Sequence, residues 1–266
     1  MRRKYLYPAL IIILTIGFYY IEEYQGGNWS ISNDKTEDTS EFSFFFLPTS
    51  TTGSIVIHKN YALSYSEKHE QAEWVAYELK KEHLSKNEFK RPYFEMDKKV
   101  SSSSADWRNF KNSGYDRGHL CPAGDRRFSF EAFEETFLTS NISPQNHEFN
   151  SQIWNYLEQK VRYWAKVYDG VYVVTGGVLS NDLKTIGYEA VSVPKYFYKI
   201  VLKDAPENPK IIAFLIPHQN SKESLKKFAV PVDQIEQLTG IDFFPKLEDA
   251  IEEKLEASLN TNGWKF

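Results

Sequence analysis

Hydrophobic and polar positions are distributed differently along this chain, and each pattern predicts an element. The 17 residues from Tyr5 to Ile21 carry no charge and follow a basic start, Arg2-Arg3-Lys4. A run of that length lies at the short limit for a bilayer span. Tyr19-Tyr20-Ile21-Glu22 is too bulky for a small-x-small cleavage pattern, so the run reads as an uncleaved anchor ahead of a cleaved signal peptide. Basic residues before it hold that end in the cytoplasm. The expectation is therefore an exported domain, anchored to the membrane outside the cytoplasm, or secreted if the segment is removed. Residues 24–53 carry turn chemistry at Gly26-Gly27 and from Pro48 to Gly53 and read as a linker. Phe44-Phe45-Phe46 interrupts it and is expected to dock on the folded part, which begins near Ser54.

Beyond that point, Ser54 to His58 and Tyr61 to Tyr65 predict strands. From Glu67 to Leu84, the residues Ala72, Val75, Ala76 and Leu79 recur at helical spacing among charged neighbours, which predicts a helix. Gly170 to Leu179, Ala190 to Leu202 and Ile211 to Pro217 are rich in Val, Ile, Tyr and Phe and predict strands. Ile153, Trp154, Leu157, Val161 and Trp164 predict an amphipathic helix beginning near Asn150. Val232 to Leu238 and Leu247 to Leu259 also read as helical. Strands and helices mix without regular β-α alternation, which favours an α+β domain. The organisation expected is 1–23 signal anchor or signal peptide, 24–53 linker and 54–266 folded domain.

Composition narrows the chemistry. Of 266 residues, 41% are hydrophobic, enough for one sizeable core. The 32 basic residues are outnumbered by 36 acidic ones, so the chain has no global attraction for a polyanion. A polyanionic ligand would have to be met by a local basic surface or a metal ion. The single cysteine, Cys121, cannot form an intrachain disulfide. Although it lies two residues from His119, a buried structural role outweighs a Cys-His nucleophile.

Candidate chemistry is concentrated between residues 115 and 158. In Tyr115-Asp116-Arg117-Gly118-His119, strand alternation puts Arg117 and His119 on one face. A guanidinium fork suits a phosphate oxygen, and a neutral imidazole suits removal of a proton from water. Gly118 between them leaves room for a ligand to approach the backbone. Asn150 and Glu158 lie about 12 Å apart along the helix with an angular offset of about 80°, so both cannot clasp one small ion. An amide oxygen of Asn150 could bind Mg²⁺ while Glu158 holds one of the ion's waters. Asn150 could instead cap its helix.

Asp116-Arg117-Gly118-His119, then Ser140-Asn141-Ile142-Ser143-Pro144-Gln145, then Asn150-x-x-x-Trp154-x-x-x-Glu158 together resemble the DNA/RNA non-specific endonuclease family. The resemblance spans roughly residues 54 to 245 and is sharp between 115 and 158; three blocks in order are far more specific than any one of them. It implies a ββα-metal, or His-Me finger, core within a mixed, largely antiparallel sheet with flanking helices. It implies His119 as general base, Asn150 as ligand to Mg²⁺ (Mn²⁺ as the alternative), and Arg117, Asn141 and Glu158 as supporting active-site residues. Arg117 would contact phosphate, Asn141 would orient His119 or the substrate, and Glu158 would fix metal-bound water. An upstream arginine is also implied, with Arg91 and Arg108 as the candidates. The substrate implied is DNA and RNA; monomer and homodimer both stay open. A non-catalytic relative that binds nucleic acid or a partner at the membrane is the alternative, and a small phosphodiester or a phosphomonoester is a second substrate class.

Overall fold

In the computed structural model, residues 46–205 and 208–266 are described. The segments 1–23 and 24–45 lie outside them. The architecture is a seven-stranded sheet in the order β1-β2-β3-β6-β9-β10-β11. Its strands are β1 (Ile55–Ile57), β2 (Ala62–Ser66), β3 (Gln71–Lys80), β6 (Gly170–Gly177), β9 (Tyr196–Lys203), β10 (Lys210–Pro217) and β11 (Ala229–Val230). Every neighbouring pair in it is antiparallel. Two small hairpins stand apart, β4 (Asp116–His119) with β5 (Ile142–Gln145), and β7 (Lys184–Ile186) with β8 (Val191–Val193). The helices are α1 (Phe130–Glu135), α2, α3 (Val232–Thr239) and α4 (Asp249–Glu256). In α2, His147–Phe149 leads through a π-type turn at Asn150–Trp154 into Asn155–Tyr168 without leaving helical dihedrals. The α+β class expected from the sequence holds.

The helix expected over Glu67 to Leu84 is instead the turn into β3 and β3 itself. Glu70 takes φ 53°, a left-handed conformation that breaks any helix there. From Gln71 to Glu78 almost every residue is buried, on both strand faces, so the period of two that marks a half-exposed strand is absent. Polar residues sit inside because each finds partners. Glu73 accepts from Thr51 N at 2.9 Å and Ser64 Oγ at 2.6 Å. Gln71 donates to Ser192 O at 2.6 Å. The apparent helical spacing of Ala72, Val75, Ala76 and Leu79 is a by-product of two buried faces.

The linker expected over residues 24–53 ends earlier than Gly53. Phe46 is buried with its ring centroid 4.4 Å from that of Tyr172, and Trp74 Nε1 donates to Thr49 O at 2.9 Å. Polar turn residues at 50–52 suggest a tether, yet their hydroxyls and amides bond to Ser64, Tyr65 and Glu73 of β2 and β3. The docking expected of the Phe44–Phe46 run is seen for Phe46; Phe44 and Phe45 lie outside the described residues.

The α2 stripe Ile153, Trp154, Leu157, Val161 and Trp164 is buried as its spacing predicts and packs on β3 and β6. Each such side chain contributes about 1.5–3 kcal/mol by leaving water. That packing fixes α2 against the sheet, and with it the polar residues at its amino-terminal end.

Candidate active site

Strand β4 is Asp-Arg-Gly-His and pairs residue for residue with β5. Arg117 and His119 oppose Pro144 and Ile142, while Asp116 and Gly118 oppose Gln145 and Ser143. The expected sharing of one strand face by Arg117 and His119 therefore holds. That face looks onto aromatic rings. His119 meets Phe137 edge-on at 4.9 Å and lies 5.7 Å from Phe94, centroid to centroid. The Arg117 guanidinium stands 4.9 Å above Phe94, and that of Arg91 stands 5.4 Å above Phe137. Two cations are thus seated on the two rings that touch the imidazole, a placement cation–π attraction supports. Arg108, the other upstream candidate, is engaged by Asp106 at 2.6 Å. Neither Arg117 nor Arg91 takes part in an ion pair among the described residues.

His119 is half-buried as a residue, yet its Nε2 is buried and has no hydrogen-bond partner among the described residues. Burial, and then the Arg91 charge, pull its pKa down to about 3. The ring is therefore neutral at pH 7 and keeps one nitrogen able to accept a proton.

Asn150 sits within the helix, not at its cap. Asn146 caps α2, its Oδ1 accepting from Glu148 N at 3.0 Å and Phe149 N at 3.2 Å. This displaces the capping reading of Asn150. Its Nδ2 donates to Asp116 Oδ2 at 3.0 Å, and His147 Nδ1 lies 2.9 Å from the same oxygen. Helix α2 is thereby tied to the first residue of the strand that carries His119. With Nδ2 engaged, Asn150 Oδ1 has no hydrogen-bond partner among the described residues, and an unengaged amide oxygen beside a carboxylate is a donor set that suits a hard divalent cation.

The geometry bears on three further expectations. Asn141 touches neither the imidazole nor open surface. Its Oδ1 accepts from Cys121 N at 2.8 Å, and its Nδ2 donates to Cys121 O at 3.0 Å and Thr136 O at 2.9 Å. All its polar capacity goes into holding the backbone just beyond His119. Gly118 does not leave space for a ligand: a Cβ there would lie 2.1 Å from Gln145 Cδ, so the glycine admits a neighbouring side chain. Glu158 lies among buried charges, with burial raising its pKa against the pull of Lys199. Arg162 pairs there with Asp125 at 2.6 Å, and Tyr77 donates to Asp125 at 3.1 Å. The Cys121 thiol is buried and pushed up to about 12, so it stays protonated and inert as a nucleophile.

A sequence profile of the DNA/RNA non-specific endonuclease family matches residues 38–250. The chain belongs to that family. It is 33% identical over 214 residues to the mitochondrial nuclease EXOG of Mus musculus, covering 72% of this chain and 57% of that protein. It therefore spans little more than half the length of that relative. Mitochondrial endonuclease G of Homo sapiens is 30% identical over 204 residues, 71% of this chain and 69% of the relative. The crystal structure of an EndoG/EndoGI complex, described as showing the mechanism of EndoG inhibition, matches with TM-score 0.67 and 31% identity. It covers 73% of this chain and 86% of that one.

These relatives correct the expectation of an exported, membrane-anchored domain, since both are named mitochondrial nucleases. Among the described residues no helix is long and apolar enough to cross a membrane; the longest, α2, is amphipathic and carries Glu158, Lys160, Arg162 and Lys166. Residues 5–21, on which the expectation rests, lie outside the described residues.

Several residues of this candidate site are not evident in the sequence. Phe94 and Phe137 carry no local signal, because their importance lies in the rings meeting. Lys199 has one: it is the only charge inside an apolar stretch, Tyr-Phe-Tyr-Lys-Ile-Val-Leu. Its ammonium is buried without a hydrogen-bond partner among the described residues, 4.8 Å above the Trp154 ring.

Proposed function

We propose that this chain is a metal-dependent endonuclease that hydrolyses phosphodiester bonds of DNA and RNA with little sequence specificity. The observation that carries the reading is the neutral His119 imidazole, its Nε2 unpartnered, between the guanidinium groups of Arg117 and Arg91. Two cations bracketing a proton acceptor match the needs of phosphodiester hydrolysis, a docked anion and a deprotonated water. In this mechanism Arg117 and Arg91 bind non-bridging phosphate oxygens. His119 takes a proton from the attacking water. An incoming phosphate anion opposes the influence of Arg91 on the ring and so strengthens the base when substrate is present. Asn150 Oδ1 would hold Mg²⁺, or Mn²⁺, which when bound supplies Lewis-acid stabilisation of the departing oxygen. Asp116 orients the Asn150 amide, and Asn141 holds the backbone beyond His119 as a positioning residue. Glu158 keeps its proposed place two helical turns from Asn150, where it orders water. Contacts to backbone phosphates carry no base information, which accounts for low sequence specificity.

The deciding experiment is nicking of supercoiled plasmid with Mg²⁺ by the parent and by His119→Ala. The expected result is loss of cleavage in the variant with its circular dichroism unchanged, and loss in the parent under chelation. Cleavage by His119→Ala at the parental rate would refute the role.

A further inference from the structure

A cluster of acids lies where α3 and α4 meet. Asp233 and Glu236 are three apart on α3, and Glu252 and Glu256 are four apart on α4, so each pair projects from one helix face. Asp242, from the loop between the helices, lines the same cleft. Asp233, Glu236 and Glu256 each offer a carboxylate oxygen, and these atoms lie within 4.8 Å of one another.

Glu256 supplies an independent observation. It is only 5% exposed, and its Oε1 is buried with no hydrogen-bond partner among the described residues. Glu252 Oε1 is likewise buried and unpartnered. A buried carboxylate is ordinarily compensated by a cation or by donors. Here the charges acting most strongly on Glu256 are four further carboxylates, those of Glu236, Glu252, Asp242 and Asp233. Helix packing has thus driven like charges together around an oxygen that no hydrogen-bond donor among the described residues satisfies.

We infer that Asp233, Glu236 and Glu256, supported by Asp242 and Glu252, form a binding site for a hard divalent cation of the calcium type. Ca²⁺ takes about six to eight oxygens, many of them carboxylate, whereas Mg²⁺ keeps most of its waters and is seldom held by a dedicated protein cage; carboxylate oxygens all within 4.8 Å of one another can share one such ion. Carboxylates alone, without thiol or imidazole, suit a hard cation. None of the lining residues belongs to the Arg117–His119 site. Because α3 and α4 both pack on β10, the bound ion staples the carboxy-terminal helix to the sheet. Its role is structural.

The test is thermal unfolding of the full chain, stripped with chelator and titrated with Ca²⁺, in four forms: the parent, Asn150→Ala, Glu256→Gln and Asp233→Asn. Asn150→Ala removes the proposed nuclease metal, so the answer does not depend on that reading. The expected result is a rise in Tm on the order of 5 °C at a hundredfold excess over Kd in the parent and in Asn150→Ala. Glu256→Gln and Asp233→Asn should lose most of that rise while still nicking plasmid. If Glu256→Gln does not fold, Asp233→Asn, at a half-exposed position, decides the outcome. No shift with Ca²⁺ in Asn150→Ala, or an undiminished shift in the carboxamide variants, overturns the inference.

Discussion

Asn141 grips the peptide of Cys121 from both sides, accepting from its N–H at 2.8 Å and donating to its C=O at 3.0 Å. The residue gripped is the second after His119, and Leu120 N also bonds to Asn141 O at 2.9 Å. The direction in which β4 delivers its histidine therefore depends on an amide that touches no reacting atom.

Asn141→Ala leaves the Cys121 N–H and the Cys121 and Thr136 carbonyls without this partner in a fully buried setting. At about 1–3 kcal/mol for each of the three orphaned groups, the expected loss is at least about 3 kcal/mol. Calorimetry should show Tm falling by several degrees. Residual nicking should be slower through kcat, with KM for plasmid little changed.

Arg91 and Arg108 should behave differently. The Arg91 charge helps hold His119 near 3, so Arg91→Ala moves that pKa up, with burial still holding it below 6.5. The acid limb of the kcat/KM profile should shift to higher pH and the rate should fall. Arg108, already paired with Asp106, should show neither effect on replacement by Ala. Identical pH profiles for the two variants would remove Arg91 from the site.

Asn150 and Asp116 should act as a pair in metal use. Asn150→Ala removes the proposed ligand, and Asp116→Ala removes the group that orients it. An orienting group of this kind is worth roughly 10–100-fold in metal affinity or activity. Titrating Mg²⁺ against nicking rate should show both variants needing more metal for half-maximal rate, with Asn150→Ala the more impaired.

Gly118→Ala should be destabilising by about 1–3 kcal/mol, because the new methyl overpacks the Gln145 side chain. Gln145→Ala in the same molecule should restore much of the loss. A double-mutant cycle by denaturant unfolding measures the coupling, and simple additivity would show that the two side chains do not compete for space.

His58 sets a pH dependence of stability. Burial lowers its pKa, but Asp97 at 2.8 Å and Glu135 at 3.4 Å outweigh burial and leave it raised. A histidine whose folded pKa lies above its unfolded value adds stability that is fully present below about pH 6.5 and fades as pH rises through the folded value. Thermal midpoints should therefore fall from pH 6 to pH 9 less steeply in His58→Gln than in the parent.

The motif is legible in the sequence because its chemistry is local. Arg117 and His119 are two apart on a strand, and alternation alone puts them on one face. The stripe Ile153, Trp154, Leu157, Val161, Trp164 marks α2 because only one of its faces is buried. By contrast, β3 mimics a helix in sequence because burial of both faces erases its period. Asn141 is ambiguous because its residue type fits a substrate contact as well as a backbone clasp. The acids of α3 and α4 do not mark a shared site in the sequence: α4 carries four acids in eight residues, as a solvated helix face also does, and the cleft exists only where the two helices meet.

By itself the sequence determined what depends on neighbours in the chain: most of the strands, the amphipathic helix, the Asp-Arg-Gly-His block and the family it points to. Only the tertiary structure decided which arginine attends His119, what Asn141 holds, and why Gly118 must be glycine. Those choices depend on groups brought together from distant segments, Arg91 onto Phe137 and Gln145 onto Gly118. Burial, which sets the charge of His119 and the cost of every unpaired polar atom, exists only once the chain has closed around them.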